Sequence, residues 1–150
     1  MDEQLLAELQ ETLRVEMPIC EAMQIEPVAW DGAQLAMQMP LRPNRNHQDT
    51  AFAGSLSALC TIVGWGTLFL QLLSRDLPGN ILIRRGAIRY LRPVKSPEIV
   101  ARSLPLASDD LDYFLELLAS KGRSKIDVSA EIADADGALV TFHGSYVVKD

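Results

Sequence analysis

From Thr50 to Ser74 the chain runs for 25 residues without a charged side chain, although 23% of the whole sequence is Asp, Glu, Lys or Arg. As a helix such a segment spans about 36 Å, and a helix apolar on nearly every side must be enclosed. A membrane is one enclosure. Against it stand Gly54, Ser55, Ser57, Thr61, Gly64, Gly66, Thr67 and Gln71 inside the segment, and flanks with no charge asymmetry: Arg42, Arg45 and Asp49 before it, Arg75 and Asp76 after it. The residues beyond Asn80 also read as β-strands, which a lone anchor does not need. The expectation is a buried core helix and no membrane span.

The remaining chain supplies the enclosure. Leu5, Leu6, Leu9 and Leu13 recur at helical spacing, and Pro18 ends that helix. Ile19 to Trp30 is strand-compatible. Asp31-Gly32 reads as a hairpin turn into the alternating Gln34–Met39, which Pro40 and Pro43 close. After the long helix, Leu77-Pro78-Gly79-Asn80 is a break. Ile81 to Arg92 is β-rich, with Gly86 as the expected bulge, and Ser96 to Leu106 is a further strand. Asp109 to Leu118 carries acids at its start and ends near Gly122, as a short helix should. Ile126, Val128, Ala130 and Ile132 alternate with polar residues, Asp136-Gly137 turns, and Leu139 to Val148 completes the set. Strands joined by hairpins rather than crossover helices specify an antiparallel sheet wrapped round the long helix, an α+β fold in one domain over residues 1–150.

Composition removes several function classes. A formal charge of −6 without a basic run argues against nucleic acid as a partner. Two cysteines, Cys20 and Cys60, lie in apolar surroundings without CxxC spacing, which fits reduced thiols and a cytoplasmic location. His47 and His143 are the only imidazoles and are far apart in sequence, so neither a metal site nor a cofactor is expected.

Chemistry concentrates where the long helix begins. Arg42-Pro43-Asn44-Arg45-Asn46-His47-Gln48-Asp49 is a polar cluster set against backbone N–H groups that a helix N-terminus leaves free. In an extended loop, His47 and Asp49 would point the same way and form a pair able to activate water, with Asn46 holding that water or polarising a carbonyl. Amides at Gly54 and Ser55 would receive a developing oxyanion, and a glycine there admits close approach. Capping competes with catalysis at this point: Asp49 or Thr50 would also serve as the helix N-cap. His143, with Thr141 and Ser145 on its face, reads as a strand residue facing solvent or an interface.

The order of elements resembles the hotdog fold. In residue detail the stretch PLRPNRNHQDTAFAGSLSALCTIVGW, from Pro40 to Trp65, is similar to the thioesterase domain of the YiiD C-terminal type. The likeness is carried by Asn44, Asn46, Thr50-Ala51-Phe52, Gly54-Ser55-Leu56 and Gly64-Trp65. It implies acyl thioester substrates on coenzyme A or an acyl carrier protein, and homodimers or homotetramers with shared sites. Many hotdog thioesterases open the central helix with a histidine-glycine-glycine turn and place an acid a turn or two later. Here those positions fall at Phe52-Ala53-Gly54 and near Cys60-Thr61, without the histidine or the carboxylate. The expected catalytic set is therefore Asn46, His47 and Asp49. Gly54, Ser55, Phe52 and Thr61 are expected to bind the thioester, and Phe52, Leu56 and Leu59 to line the acyl tunnel. Arg84, Arg85 and Arg123 are candidates for the coenzyme A phosphates. A hotdog 3-hydroxyacyl dehydratase and a non-catalytic acyl-thioester-binding domain are the alternatives from other classes.

Overall fold

The first residues after the start form two helices, because their apolar side chains recur every third or fourth position. The computed structural model describes residues 2–150. Helix α1 runs Glu3–Glu16 and buries Leu9 and Leu13, and α2 runs Ile19–Met23. The strand-compatible reading of Ile19–Trp30 is thus corrected in its first half. Pro18 starts a helical turn that buries Cys20, and Gln24, in the left-handed region at φ 57°, ends it. Only Glu26–Trp30 is strand, β1.

Strand β2 (Leu35–Pro40) follows the turn at Asp31, whose Oδ1 accepts the Ala33 and Gln34 amides. A short 3₁₀ turn at Arg42–Asn44 leads to the long helix α3, Ala53–Leu73. Then come β3 (Asn80–Tyr90), β4 (Glu98–Ser103), α4 (Ser108–Lys121), β5 (Arg123–Asp134) and β6 (Gly137–Lys149). The strand expected over Ser96–Leu106 is therefore shorter. The six strands make one antiparallel sheet in the order β1-β2-β4-β5-β6-β3. Strands β1 and β3 are its edges, and β6 lies between β5 and β3.

Period-two alternation decides the faces. Ile126, Val128, Ala130 and Ile132 of β5, and Val140, Phe142, Tyr146 and Val148 of β6, are buried toward the helices. The first half of α3 packs Leu56, Leu59 and Val63 with Leu9, Leu13, Leu35 and Met37. Its second half packs Leu68 and Leu72 with Phe114 and Leu118 of α4. Truncating any fully buried leucine of these clusters to alanine costs about 2–5 kcal/mol. Helix α3 is long and apolar enough to cross a membrane, yet it is the core helix of this sheet, mostly buried.

The irregularity in β3 falls elsewhere than expected. Gly86 pairs regularly with Gly144, while the register slips between Ile83 and Arg85, leaving Arg84 as the extra residue.

Candidate functional site

Helix α3 begins three residues later than the uncharged run. Phe52, extended at φ −64° and ψ 132°, is the N-cap residue, and no side chain caps the helix. The capping role anticipated for Asp49 or Thr50 is thereby corrected. The helix start is fixed from both sides instead: the Ala51 amide donates to Val94 O at 2.8 Å and the Phe52 amide to Asn44 O at 2.8 Å. Asn44 is buried, and its Nδ2 donates to Met23 O and Pro40 O at 2.9 and 2.8 Å. It ties α2, β2 and α3 together.

Between these clamps, residues 45–51 form a tight loop rather than an extended one. Asn46 organises it: its amide donates to Thr50 O at 2.7 Å, its Oδ1 accepts the Gln48 and Thr50 amides, and its Nδ2 donates to Thr50 Oγ1 at 2.8 Å. Asp49 sits in the left-handed region at φ 59° and pairs with Arg45 at 3.6 Å. His47 is exposed, and no hydrogen bond joins it to Asp49 among the described residues. The geometric premise of a His47–Asp49 pair, an extended loop, is corrected: the turn at Asn46 and the ion pair with Arg45 direct Asp49 elsewhere.

The first turn of α3 is open. Leu56 is the first residue to donate back into the helix, to Phe52 O at 3.1 Å, so the amides of Ala53, Gly54 and Ser55 are the orphan donors of this N-terminus. The half-exposed Phe52 ring lies over Gly54, where a β-carbon would strike it. Tyr90, at the end of β3, closes the other side by donating its hydroxyl to Ala53 O at 3.1 Å. Tyr90 was not among the candidates, because only the strand order brings the end of an edge strand to the start of α3.

The remaining candidates divide. Thr61 lies two turns along the helix from Gly54, about 10 Å away, and its carbonyl accepts the buried Tyr146 hydroxyl at 2.8 Å. Leu56 and Leu59, expected to line an acyl tunnel, are sealed inside the core, a correction that leaves only Phe52 of that trio facing outward. The side of α3 left half-buried is Thr61, Ile62, Trp65 and Phe69, the last two stacked with centroids 5.1 Å apart. Arg84 and Arg85 line one cavity together, and Arg84 and Arg123 line the next. Along β3, five or six residues, about 16–20 Å, separate Arg84 and Arg85 from Tyr90.

A further cluster occupies the outer face of the sheet. His143 Nε2 is 3.1 Å from Asp127 Oδ2 and its Nδ1 is 2.9 Å from Ser129 Oγ, while the Ser145 hydroxyl donates to Asp127 Oδ1 at 2.7 Å. The Ser145 hydroxyl first, and His143 after it, hold the Asp127 carboxyl below the usual carboxylate range. His143 is the outward-facing strand residue its neighbours indicated.

Residues 6–150 match the family described as "Putative thioesterase (yiiD_Cterm)". Among solved structures, a protein of unknown function from Chlorobaculum tepidum TLS is 26% identical, with a TM-score of 0.94 over 99% of this chain and 96% of that one. A structure described as the putative thioesterase from Shewanella oneidensis is 29% identical, with a TM-score of 0.85 over 100% of both chains. A thioesterase from Haemophilus influenzae, 16% identical, shares the fold at a TM-score of 0.74 over 97% of this chain and 90% of that one. The wrapped sheet and central helix are the hotdog fold.

Proposed function

The chain belongs to the YiiD C-terminal type of thioesterase family, and from that premise we propose that it hydrolyses acyl thioesters of coenzyme A or an acyl carrier protein at the N-terminus of α3. The observation that carries this reading is the row of orphan amides at Ala53, Gly54 and Ser55 at the head of a buried helix. A thioester carbonyl oxygen set against Gly54 and Ser55 gains donors that strengthen as it becomes an oxyanion, each worth about 2.7–4 kcal/mol of barrier. His47 takes the proton of the attacking water, Asn46 and Asp49 shape the loop that carries it, and Phe52 and Thr61 flank the acyl group. The water oxygen bonds to the carbonyl carbon, the tetrahedral intermediate expels the thiolate, the thiolate recovers the proton from His47, and the carboxylic acid so formed gives its remaining proton to solvent. Carboxylate and thiol are the products.

A second copy of the chain fits the same reading. Strand β3 is an 11-residue edge, Leu82, Ile83 and Tyr90 on it are exposed, and the half-buried face of α3 lies alongside. Antiparallel pairing of two β3 strands would satisfy the edge and bring two sites together as a homodimer or homotetramer. The buried free thiols suit the cytoplasm.

The test is thiol release from coenzyme A esters of increasing acyl length, with His47→Ala and Asp49→Asn as variants. Asparagine is chosen because it tolerates the left-handed backbone at position 49. Saturable release that falls more than tenfold in His47→Ala supports the mechanism. Unchanged turnover in both variants removes the loop from it. Tight acyl-coenzyme A binding without release identifies a binding domain, and turnover of a 3-hydroxyacyl ester without thiol release identifies a dehydratase.

A further inference from the structure

Strands β5 and β6 set four polar side chains together on the outer face of the sheet. Their pairing is regular there, with Asp127 opposite Ser145 and Ser129 opposite His143. Ser129 turns its carbonyl away from β6, to accept the Leu104 amide at 2.8 Å. Its pairing with His143 is therefore of the non-hydrogen-bonded kind, in which facing side chains stand closest. The contacts run in a chain. An ionised Asp127 can only accept, so His143 Nε2, 3.1 Å from Asp127 Oδ2, carries the ring proton. Nδ1, 2.9 Å from Ser129 Oγ, is left to accept the serine proton. Ser145 donates to Asp127 Oδ1 at 2.7 Å, which occupies the second carboxylate oxygen. His143 and Asp127 are exposed and Ser129 is half-buried beside them, so a small molecule reaches the hydroxyl.

The end of a neighbouring strand adds two further parts. Strand β4 stops at Ser103, opposite Ala130. The Ser129 amide lies just past that end, and no backbone acceptor takes it up among the described residues. Leu104, itself exposed, stands beside it as an apolar shoulder.

We infer that Ser129, His143 and Asp127 form a second hydrolytic site, separate from the head of α3, for oxygen esters of small apolar acids. The roles are those of nucleophile, base and orienting carboxylate, with the two ring nitrogens exchanged relative to the usual triad. The Ser129 oxygen bonds to the ester carbonyl carbon as its proton passes to His143 Nδ1, and the Ser129 amide donates to the developing oxyanion. The bond to the alcohol oxygen then breaks, and Nδ1 returns the proton to the departing alkoxide. An alkoxide needs that proton far more than a thiolate does, which is why oxygen esters suit this site. Water repeats the sequence on the acyl-serine: Nδ1 takes its proton, and the Ser129 oxygen leaves and recovers it. The carboxylic acid gives its remaining proton to solvent. The acyl group rests against Leu104. None of this depends on the thioesterase reading.

The test treats the full chain with diisopropyl fluorophosphate, which phosphorylates an activated serine as fluoride leaves. The expected result is one diisopropylphosphoryl group per chain, mapped to Ser129 by peptide mass spectrometry and added at least tenfold more slowly in His143→Ala. No labelling, labelling only at other residues, or a smaller slowing in His143→Ala makes Ser129 an ordinary surface hydroxyl and overturns the site. Hydrolysis of p-nitrophenyl butyrate is then followed with Gly54→Ala present throughout, to suppress the head of α3. Turnover should fall at least tenfold in Ser129→Ala and in His143→Ala, at an unchanged melting temperature. A smaller fall in either, or no turnover to begin with, overturns the activity.

Discussion

Tyr146 of β6 lays its ring against the bare backbone of Gly64 in α3 and donates its hydroxyl to the Thr61 carbonyl one turn earlier. Helix and sheet approach here more closely than any side chain at position 64 would allow. The residue is fully buried, so its hydroxyl depends on that single acceptor.

Gly64→Ala should therefore destabilise the fold by about 1–3 kcal/mol, since the new methyl overlaps the phenol. Tyr146→Phe should cost about 0.5–1.5 kcal/mol through the lost hydrogen bond. Combined, they should cost less than the sum, because removing the hydroxyl removes the atom nearest the added methyl. Urea unfolding of the four proteins measures the coupling, and strict additivity would contradict the contact.

Gly54→Ala separates chemistry from stability. Its methyl meets the Phe52 ring, which is half exposed and can swing aside, so the melting temperature should stay near wild type. The methyl or the displaced ring then occupies the proposed oxyanion position, and thioester hydrolysis should fall at least tenfold. Wild-type kcat/KM in this variant would exclude the first turn of α3 as the site.

Burial pushes the Cys60 thiol up to about 12, and burial also raises that of Cys20. Thiolate is the reactive form, so both should be inert to a disulfide reagent at pH 8 in the native protein and react together once it is unfolded. Rapid labelling of either thiol without denaturant would disprove their enclosure.

Because the folded Asp127 carboxyl titrates below its unfolded value near 3.8, the charged form contributes stability above that value. The contribution is lost as pH falls through the lower folded value. Ser145→Ala removes the largest cause of the shift. Its melting temperature should lie below wild type at pH 6, and the difference should shrink as pH drops below about 3.8. A gap that widens in acid would reverse the sign.

Leu82→Lys with Ile83→Lys places two charges on the exposed β3 edge, where they should not disturb the monomer core. Light scattering should show the wild type as a dimer or tetramer and this variant as a smaller species. An unchanged mass would move any interface away from β3.

Much of the architecture was legible in residue order. The uncharged run marked α3, and the alternation from Ile126 to Ile132 marked β5 and its inner face. What escaped depends on three-dimensional register. Pro18 begins a helix where Ile19 and its neighbours are equally compatible with a strand, and burial of Cys20 decides between them. The bulge went to Arg84 rather than Gly86 because the pairing partner of β3 is the distant β6. The same long-range pairing brings Tyr90 to Ala53, and the adjoining β5–β6 register brings His143 to Asp127. In the candidate site Gly54 and Ser55 fall in the first turn of α3, whereas the amide and side chain of Asn46 are taken up by the loop's own hydrogen bonds. His47 and Asp49 share a loop without touching, because the turn at Asn46 is set by hydrogen bonds that spacing does not reveal.

The strand order also bears on synthesis at the ribosome. Strand β3 has no sheet neighbour until residues 137–149 have emerged, since its sole partner among the described residues is β6. During translation, the stretch from Asn80 to Tyr90 waits with both edges bare while nearly sixty further residues are added. This is the interval in which a nascent chain of this design is most exposed to aggregation, and the arginines at 84, 85 and 89 keep that waiting strand charged.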